Sequence, residues 1–181
     1  YYPGDMIFEE GSAAKYYYQI ATGTVKINNY FEDGKEFVHG FPFDGHCFGE
    51  SYLFTSNVYA VNAKAERDSD IYRLDAENFI RLLKERPELH FAVSAYTAER
   101  LHFRYIIASC LAISSPMIKV LKLMEHLKQY FKKEEQFELL IPFTRRQLAS
   151  LLGLRVETVI REIKKLETQN RIKIVGNKLY F

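Results

Sequence analysis

The pattern of apolar and polar residues changes its period close to Asp75. Before this residue, apolar and polar positions alternate in short segments such as 24–28, and seven of the nine glycines lie within the first 49 residues. Alternation with a period of two between glycine-marked turns predicts antiparallel strands, and residues 32–35, with Asp-Gly at their centre, predict a hairpin turn. After Asp75 the apolar residues recur at helical spacing. The chain is therefore predicted to be α+β, with a turn-rich β structure followed by long helices.

Two short helices around a glycine are predicted between residues 144 and 166. Thr144 and Gln147 have the spacing of a capping box, so a helix should begin there. Gly153 should end that helix, because glycine adopts the left-handed cap conformation at little cost. A second helix is then predicted from about residue 156 to residue 166. The alternative is an ordinary amphipathic helical hairpin, which the spacing alone does not exclude.

The second of these helices has two different faces. At about 100° per residue, its apolar residues fall on one stripe, namely Val159, Ile163 and Leu166, with Val156 at the edge. Its charged residues Glu157, Arg161 and Lys164 fall on the opposite side. A helix with one face in a core and a polar face in solvent has the form that is needed to enter the major groove of DNA.

Charge is distributed unevenly along the chain and favours the DNA-binding interpretation. Residues 116–181 contain 14 Lys and Arg against 7 Asp and Glu, whereas residues 1–115 contain 11 against 16. A basic C-terminal third on an acidic remainder is typical of a chain in which one domain meets a phosphate backbone. The length of 181 residues suits two small domains.

The segment from Thr144 to Lys173 resembles the winged helix-turn-helix of the Crp/Fnr transcription regulators. The resemblance rests on the runs Thr-Arg-Arg-Gln-Leu-Ala-Ser-Leu-Leu-Gly, Val-Glu-Thr-Val-Ile-Arg and Leu-Glu-Thr-Gln-Asn-Arg-Ile. Upstream, Tyr-Pro-Gly-Asp at 2–5, Glu-Gly at 10–11 and Phe-Gly-Glu at 48–50 resemble the jelly-roll-like β-roll of cyclic-nucleotide-binding domains. The resemblance implies a β-roll sensor domain at 1–86, a dimerisation helix and hinge at 87–115, and a winged helix-turn-helix DNA-binding domain at 116–181.

The resemblance also implies a homodimer whose two recognition helices read an inverted repeat in double-stranded DNA. The predicted base-reading residues are Val156, Glu157, Ile160 and Arg161, and Arg161 is placed to contact O6 and N7 of a guanine. Val156 replaces an Arg of the cyclic-AMP type and Ile160 a Ser of the Fnr type, so the half-site should keep the TGA-like core and differ beside it. The predicted phosphate contacts are Thr144, Arg145, Arg146, Lys164, Lys165 and Lys178. A surface ion pair between Glu157 and Arg161 is the alternative.

Six residues are predicted to belong to an effector pocket: Gly49, Glu50, Tyr59, Ala60, Arg104 and Tyr105. In family members that bind cyclic AMP, the Gly-Glu pair opens a phosphate-binding turn, and an Arg followed by Ser or Thr holds the cyclic phosphate. Gly49 and Glu50 match this pattern, but Tyr59 and Ala60 stand where the Arg and the hydroxyl residue are expected. Because a buried phosphate needs a cationic partner, we do not expect cyclic AMP to bind in the family manner.

Several alternatives stay open for the effector. Arg104 and Tyr105 align with long-helix positions that face the nucleotide in cyclic-AMP-binding relatives, so Arg104 could supply a cation to a remodelled pocket for a different anion, or restore a cyclic-nucleotide response. It could equally be a dimer-helix Arg that pairs with a carboxylate. The many Tyr and Phe side chains of this half could instead fill the roll and leave no pocket. A nucleotide-sensing module that acts on a protein partner is a further alternative.

The dimerisation helix is predicted at about residues 87–114, with Pro87 in its first turn. A coiled-coil seam is predicted where residues recur at alternating steps of three and four, namely Val93, Tyr96, Arg100, Phe103, Ile107 and Cys110. An intramolecular core helix is the alternative. Residues 114–116 should form a hinge, because the residue before Pro116 is pushed out of helical geometry. A helix is predicted over 116–131, and residues 171–180, with Gly-Asn at the turn, predict a β-hairpin wing.

No cofactor, metal site or enzymatic motif is predicted. With only Cys47 and Cys110, this chain cannot hold an iron–sulfur cluster by itself, and His46 is expected to be local packing and not a haem ligand. No apolar run approaches the roughly 20 residues of a membrane span. Two cysteines without a clear partner suit a reducing compartment, so a cytoplasmic protein is expected, with RNA polymerase as a further candidate partner. Since the chain starts at Tyr1 without Met, we expect a native N-terminal segment to precede it.

Overall fold

Two antiparallel sheets lie within the first 75 residues of the computed structural model, which describes residues 1–55 and 58–181. The strands are β1 (Met6–Phe8), β2 (Tyr16–Thr22), β3 (Val25–Tyr30), β4 (Glu36–Gly40), β5 (Cys47–Phe48), β6 (Asn62–Ala65) and β7 (Asp70–Asp75). One sheet has the order β1-β6-β3-β4 and the other the order β5-β2-β7. Every pairing in both sheets is antiparallel, as the alternating pattern predicts. The predicted β-roll is confirmed.

Tight turns join these strands. Phe31 N–H donates to Lys35 O across the turn between β3 and β4, at 2.9 Å, so the predicted Asp-Gly hairpin is confirmed. Between β2 and β3, Gly23 has a φ of 122° and lies so close to Ser69 that a Cβ atom there would be 2.1 Å from Ser69 Oγ. Only glycine fits this close approach without strain.

Aromatic rings fill the interior of the roll. The rings of Phe8 and Tyr59 stack with centroids 3.7 Å apart, and those of Tyr18 and Phe48 stack at 5.2 Å. All four side chains are buried, together with aliphatic neighbours such as Val25. Large buried rings contribute most of the apolar area of a small core, so this cluster holds the two sheets together.

Helices begin where the strands end. A short 3₁₀ helix covers Glu50–Leu53, α1 covers Ala76–Glu85, and α2 covers Pro87–Ala112. Asp75 caps α1, because its side chain accepts the Asn78 N–H at 2.9 Å. The structure divides into two compact units, Tyr1–Arg100 and Leu101–Phe181, and α2 continues from the first into the second. The three segments at 1–86, 87–115 and 116–181 therefore remain predictions.

The second unit contains three further helices and a hairpin. These are α3 (Pro116–Tyr130), α4 (Arg145–Leu152), α5 (Val156–Thr168), β8 (Lys173–Val175) and β9 (Lys178–Tyr180). The segment 139–141 pairs with β9, since Ile141 N–H donates to Leu179 O and Phe181 N–H donates to Leu139 O, both at 2.9 Å. The strands β8 and β9 pair antiparallel, so the predicted wing is confirmed. The helix α2 ends at Ala112 and α3 begins at Pro116, so the predicted break before Pro116 is confirmed as well.

A buried lysine joins two helix ends in this unit. Lys119 is 8 % exposed, and its Nζ donates to Leu111 O at 3.3 Å and to Leu152 O at 3.4 Å. These carbonyls lie at the C-termini of α2 and α4, where a positive charge is favoured by the helix dipole. The contact ties the end of α2 to the helix-turn-helix. A lysine in an apolar run gives no such signal in the sequence.

The predicted coiled-coil seam on α2 is wrong in its register. Val93 packs against the core of the roll, Arg100 pairs with Glu50, and Ile107 and Cys110 are buried within the second unit. Cys110 is fully covered in a single chain and therefore cannot contact a partner. The spacing of three and four identifies a face that will be covered, but it does not say whether the same chain or another copy covers it.

Candidate nucleic-acid interface and effector region

The helix-turn-helix begins at a capping box. Thr144 Oγ1 accepts from Gln147 N–H at 3.2 Å, and Gln147 Oε1 accepts from Thr144 N–H at 2.9 Å. At the other end of α4, Gly153 has a φ of 61° and donates its N–H to Ala149 O. Both features follow the sequence prediction. They set the residues at which α4 begins and ends.

The helix α5 buries one face and exposes the other. Val159, Ile163 and Leu166 are buried, as the spacing predicts. The opposite side borders a shallow groove of about 510 Å³ that is lined by Glu157, Ile160, Arg161, Lys164, Lys165 and Thr168. We call Glu157, Ile160, Arg161 and Lys164 the reading face. The structure thus brings three of the four predicted base-reading residues together, with Val156 half-buried at the edge.

The predicted phosphate contacts surround this face within the second unit. Arg145 Nη1 donates to Asn177 O at 3.0 Å, so the start of α4 touches the turn of the wing next to Lys178. The side chains of Arg146, Lys164 and Lys178 are exposed. Exposed cations at a helix start, along a second helix and on a wing can follow a phosphate backbone.

Arg161 pairs with the residue beside it. Its Nε donates to Glu162 Oε1 at 3.0 Å, and Lys165 Nζ lies 3.2 Å from both carboxylate oxygens of Glu162. Among the residues with described placement, no ion pair joins Arg161 to Glu157. Burial raises the pKa of Glu162, but the hydrogen bonds from Arg161 and Lys165 outweigh it and hold the pKa below its usual range. Sequence reasoning missed Glu162, because neighbouring positions on a helix do not normally face each other.

In the first unit, the matched Gly-Glu pair leads into a buried ion pair. Gly49 has a φ of 83° and Glu50 starts the 3₁₀ helix with its side chain fully buried. Arg100 Nη1 lies 3.0 Å from Glu50 Oε1 and 3.1 Å from Oε2, and it also donates to Cys47 O at 3.0 Å. Thr97 Oγ1 donates to Glu50 Oε1 at 3.4 Å. Burial alone would lower the pKa of Arg100, but the Glu50 carboxylate raises it above its usual range.

The two residues at the expected phosphate-binding positions offer no cation. Tyr59 is 2 % exposed, its ring lies against Phe8, and its hydroxyl donates to Tyr16 O at 3.3 Å. Ala60 lies on the surface, where its carbonyl accepts from Asn29 Nδ2 at 2.8 Å. The side chain that stands in place of the Arg is therefore part of the core.

The His-Cys pair beside this site is neutral. Burial, and then the positive charge of Arg100, lower the pKa of His46 to about 4. Burial, and then the negative charge of Glu50, raise the pKa of the Cys47 thiol to about 12. In residues 1–55 and 58–181, no cluster of three or more His, Cys, Asp or Glu side chains is arranged to hold a metal ion.

Comparisons with known proteins agree with this geometry. The family described as cyclic nucleotide-binding domain matches residues 1–86, and the family described as Crp-like helix-turn-helix domain matches residues 119–180. The chain is 26% identical to the cAMP-activated global transcriptional regulator CRP of Pasteurella multocida, over 98% of this chain and 87% of that protein. It is 24% identical to the transcriptional activatory protein AadR of Rhodopseudomonas palustris, over 97% and 73%.

The chain belongs to the Crp/Fnr family of transcription regulators. Its fold matches the solved structure of FixK2 from Bradyrhizobium japonicum with a TM-score of 0.81 at 22% identity, covering 100% of this chain and 89% of that one. It is a DNA-binding transcription regulator with a cyclic-nucleotide-binding-like domain, and it is not an enzyme. No helix among the described residues has the length and apolar character to cross a membrane.

The last two predicted effector residues, Arg104 and Tyr105, belong to a different unit from Glu50. Arg104 and Tyr105 are exposed residues of α2 in the second unit, and the arginine that meets Glu50 is Arg100. The spacing along α2 predicted Arg100 in the dimer seam and gave no sign of its pairing with Glu50. A buried ion pair between residues 50 positions apart leaves no local pattern in a sequence.

Proposed function

We propose that this regulator binds double-stranded DNA as a homodimer and reads an inverted repeat with the reading face of α5. The observation that carries the proposal is the exposed Arg161 on a helix whose opposite side is locked in a core. Arg is the side chain that most often contacts guanine specifically, through O6 and N7 in the major groove. Ile160 beside it offers an apolar contact, and Glu157 one turn earlier can accept from a cytosine amino group.

Replacing Arg161 by Ala tests the base-reading role. Loss of a bidentate contact should cost about 1–3 kcal/mol of discrimination, which is roughly 5- to 150-fold in affinity for the selected site. Nonspecific binding should fall far less, because only one of several cations is lost. The measurement is fluorescence anisotropy on a site selected from random DNA and on an unrelated duplex.

Two variants serve as controls for Arg161. Arg161→Lys keeps the charge but lacks the planar fork, so it should also lose discrimination. Lys84→Ala removes one exposed charge from α1 in the first unit and should leave discrimination unchanged. An Arg161→Ala chain that loses specific and nonspecific affinity in equal proportion would contradict the base-reading role.

The exposed face of α2 supports the proposed homodimer. Exposed residues recur along this helix at alternating steps of three and four, namely Ala98, Leu101, Tyr105, Ala108 and Ala112. This face is adjacent to the one predicted from the sequence, and it has the spacing of a coiled-coil seam with small residues that allow close approach. A parallel pair would place two reading faces about one turn of DNA apart.

A charge placed on this face should break the dimer. Leu101→Glu would bring two carboxylates together at the seam, so the variant should be monomeric and bind the full repeat at least tenfold more weakly. Glu99→Lys changes the charge of the same helix beside the seam and should leave the dimer intact. Light scattering gives the mass of each variant, and an unchanged dimer in Leu101→Glu would rule out this seam.

For the effector, we propose that the roll does not take cyclic AMP in the manner of the family's cyclic-AMP-binding members. Support comes from Tyr59 in the core and from Glu50, whose two oxygens are engaged by Arg100 and Thr97. A role for Gly49, Ala60, Arg104 and Tyr105 in binding a different anion stays a prediction. The proposed place of action is the cytoplasm, where bacterial DNA lies, and RNA polymerase is a proposed partner.

A further inference from the structure

Glu162 is an unusual residue for the buried side of a recognition helix. It is 4 % exposed, while the other buried residues of α5 are Val159, Ile163 and Leu166. Burying a carboxylate is unfavourable unless it is paired and hydrogen-bonded. Glu162 meets this requirement through Arg161 on one side and Lys165 on the other.

The pairing with Arg161 occupies one donor and leaves the others available. Arg161 Nε donates to Glu162 Oε1 at 3.0 Å, whereas neither Nη atom donates a hydrogen bond to any acceptor among residues 1–55 and 58–181. A guanidinium has five N–H donors in a fixed plane, so four N–H groups on two Nη atoms remain. A bidentate contact to guanine needs two of them. The Glu162 contact is therefore compatible with base reading and restricts the direction of the fork.

The exposure of Arg161 makes such a restraint useful. The Arg161 side chain is 62 % exposed, against 6 % for that of Glu162. Without the ion pair, the Arg161 side chain could therefore adopt many rotamers. Fixing a rotamer-rich side chain before binding removes an entropy cost from the bound state. The same carboxylate opposes the approach of phosphates, because it places a negative charge beside the reading face.

We propose that Glu162 is a positioning residue, which orients Arg161 for guanine and raises the ratio of specific to nonspecific DNA affinity. The inference rests on the proposed base-reading role of Arg161. It predicts two effects of opposite sign when the carboxylate is removed. Specific affinity loses the orientation of Arg161, while nonspecific affinity gains from the lost negative charge. A residue that only supported the fold would lower both affinities.

The test compares Glu162→Leu with Glu167→Leu. Both variants replace one carboxylate of α5 by the same side chain, but Glu167 is exposed and, within residues 1–55 and 58–181, forms no ion pair with Arg161. Anisotropy titrations use the selected repeat, the repeat with the Arg161-contacted guanine replaced, and an unrelated duplex. For Glu162→Leu, the ratio of specific to nonspecific affinity should fall roughly 3- to 10-fold. For Glu167→Leu, the affinity should rise slightly and by the same factor on all three duplexes, so the ratio of specific to nonspecific affinity should not change.

Further variants keep the test decisive. Glu162→Gln retains an acceptor for Arg161 Nε and should recover part of the ratio, and it replaces the Leu variant if the latter no longer binds the unrelated duplex. In an Arg161→Ala background, Glu162→Leu should not change the ratio, because no fork remains to orient. An unchanged ratio in Glu162→Leu and Glu162→Gln, or the same loss in the Arg161→Ala background, would overturn the inference. A wild-type chain without sequence preference would instead overturn the proposed function.

Discussion

The two units of this regulator use their charged residues in opposite ways. In the unit Leu101–Phe181, Arg161, Lys164 and Lys178 are exposed around one helix and one wing. In the unit Tyr1–Arg100, at the site shared with cyclic-nucleotide-binding domains, the fully buried Glu50 pairs with the partly buried Arg100. Exposed charges remain available to a partner, whereas a buried pair is already satisfied within the chain. The charges of the reading face are thus accessible to a partner, whereas the carboxylate of Glu50 is paired within the chain.

The same contrast holds for the apolar side chains. Behind the reading face, Val159, Ile163 and Leu166 are buried in the core, and the groove in front of it is open to solvent. In the roll, the rings of Tyr59 and Phe8 stack in the interior of the domain. This packing supports the proposal that the roll does not take cyclic AMP in the family manner.

The largest effect should come from breaking the buried pair. Arg100→Ala leaves the fully buried Glu50 without its cation, which should destabilise the roll by about 3–5 kcal/mol. Urea unfolding followed by tyrosine fluorescence measures the change. Arg86→Ala is the matched control, since it removes an arginine from an ion pair in which both side chains are more than 60 % exposed, and it should cost about 0–1 kcal/mol. Equal losses in the two variants would break the contrast between paired and exposed charges.

A smaller effect is expected from acid. The pKa of His46 is about 4 in the folded chain, against 6.5 for an ordinary histidine, so the unfolded chain binds this proton first as the pH falls. The contribution of neutral His46 to stability is complete above about pH 6.5 and is lost as the pH falls towards 4. After allowance for partial exposure, the stability that is lost at pH 5 should amount to on the order of 1 kcal/mol. Between pH 7 and 4.5, the free energy of unfolding should fall more steeply with falling pH in the wild type than in His46→Gln. Parallel curves of this free energy against pH would exclude this role.

No effect is expected from cyclic AMP. A calorimetric titration of the purified chain at millimolar nucleotide should give no binding heat, and cyclic GMP should behave in the same way. The cAMP-activated regulator of Pasteurella multocida serves as the positive control. Binding in the micromolar range would show that the roll remains open, and the comparison of the two units would fail at this point. Arg104→Ala would then test whether this residue supplies the missing cation.

The helix-turn-helix could be predicted from the sequence because its determinants are local. Thr144 and Gln147 are three residues apart, Gly153 ends the helix by its own conformational freedom, and the buried stripe of α5 repeats every three or four residues. Each signal depends on backbone geometry within one or two turns, which the sequence specifies directly. The hairpin turn at 32–35 and the start of α2 at Pro87 belong to the same class.

The sequence by itself therefore determined a β structure followed by helices, the two helices around Gly153 and the charged face of the second of them. Only the tertiary structure decided which partners the buried polar groups have. It joined Glu50 to Arg100, placed Lys119 on the ends of two helices, turned Cys110 into the core and held Arg161 on Glu162. The physical reason is that desolvation makes a buried charge choose its partner by proximity in space, and the helical or strand period carries no information about that distance.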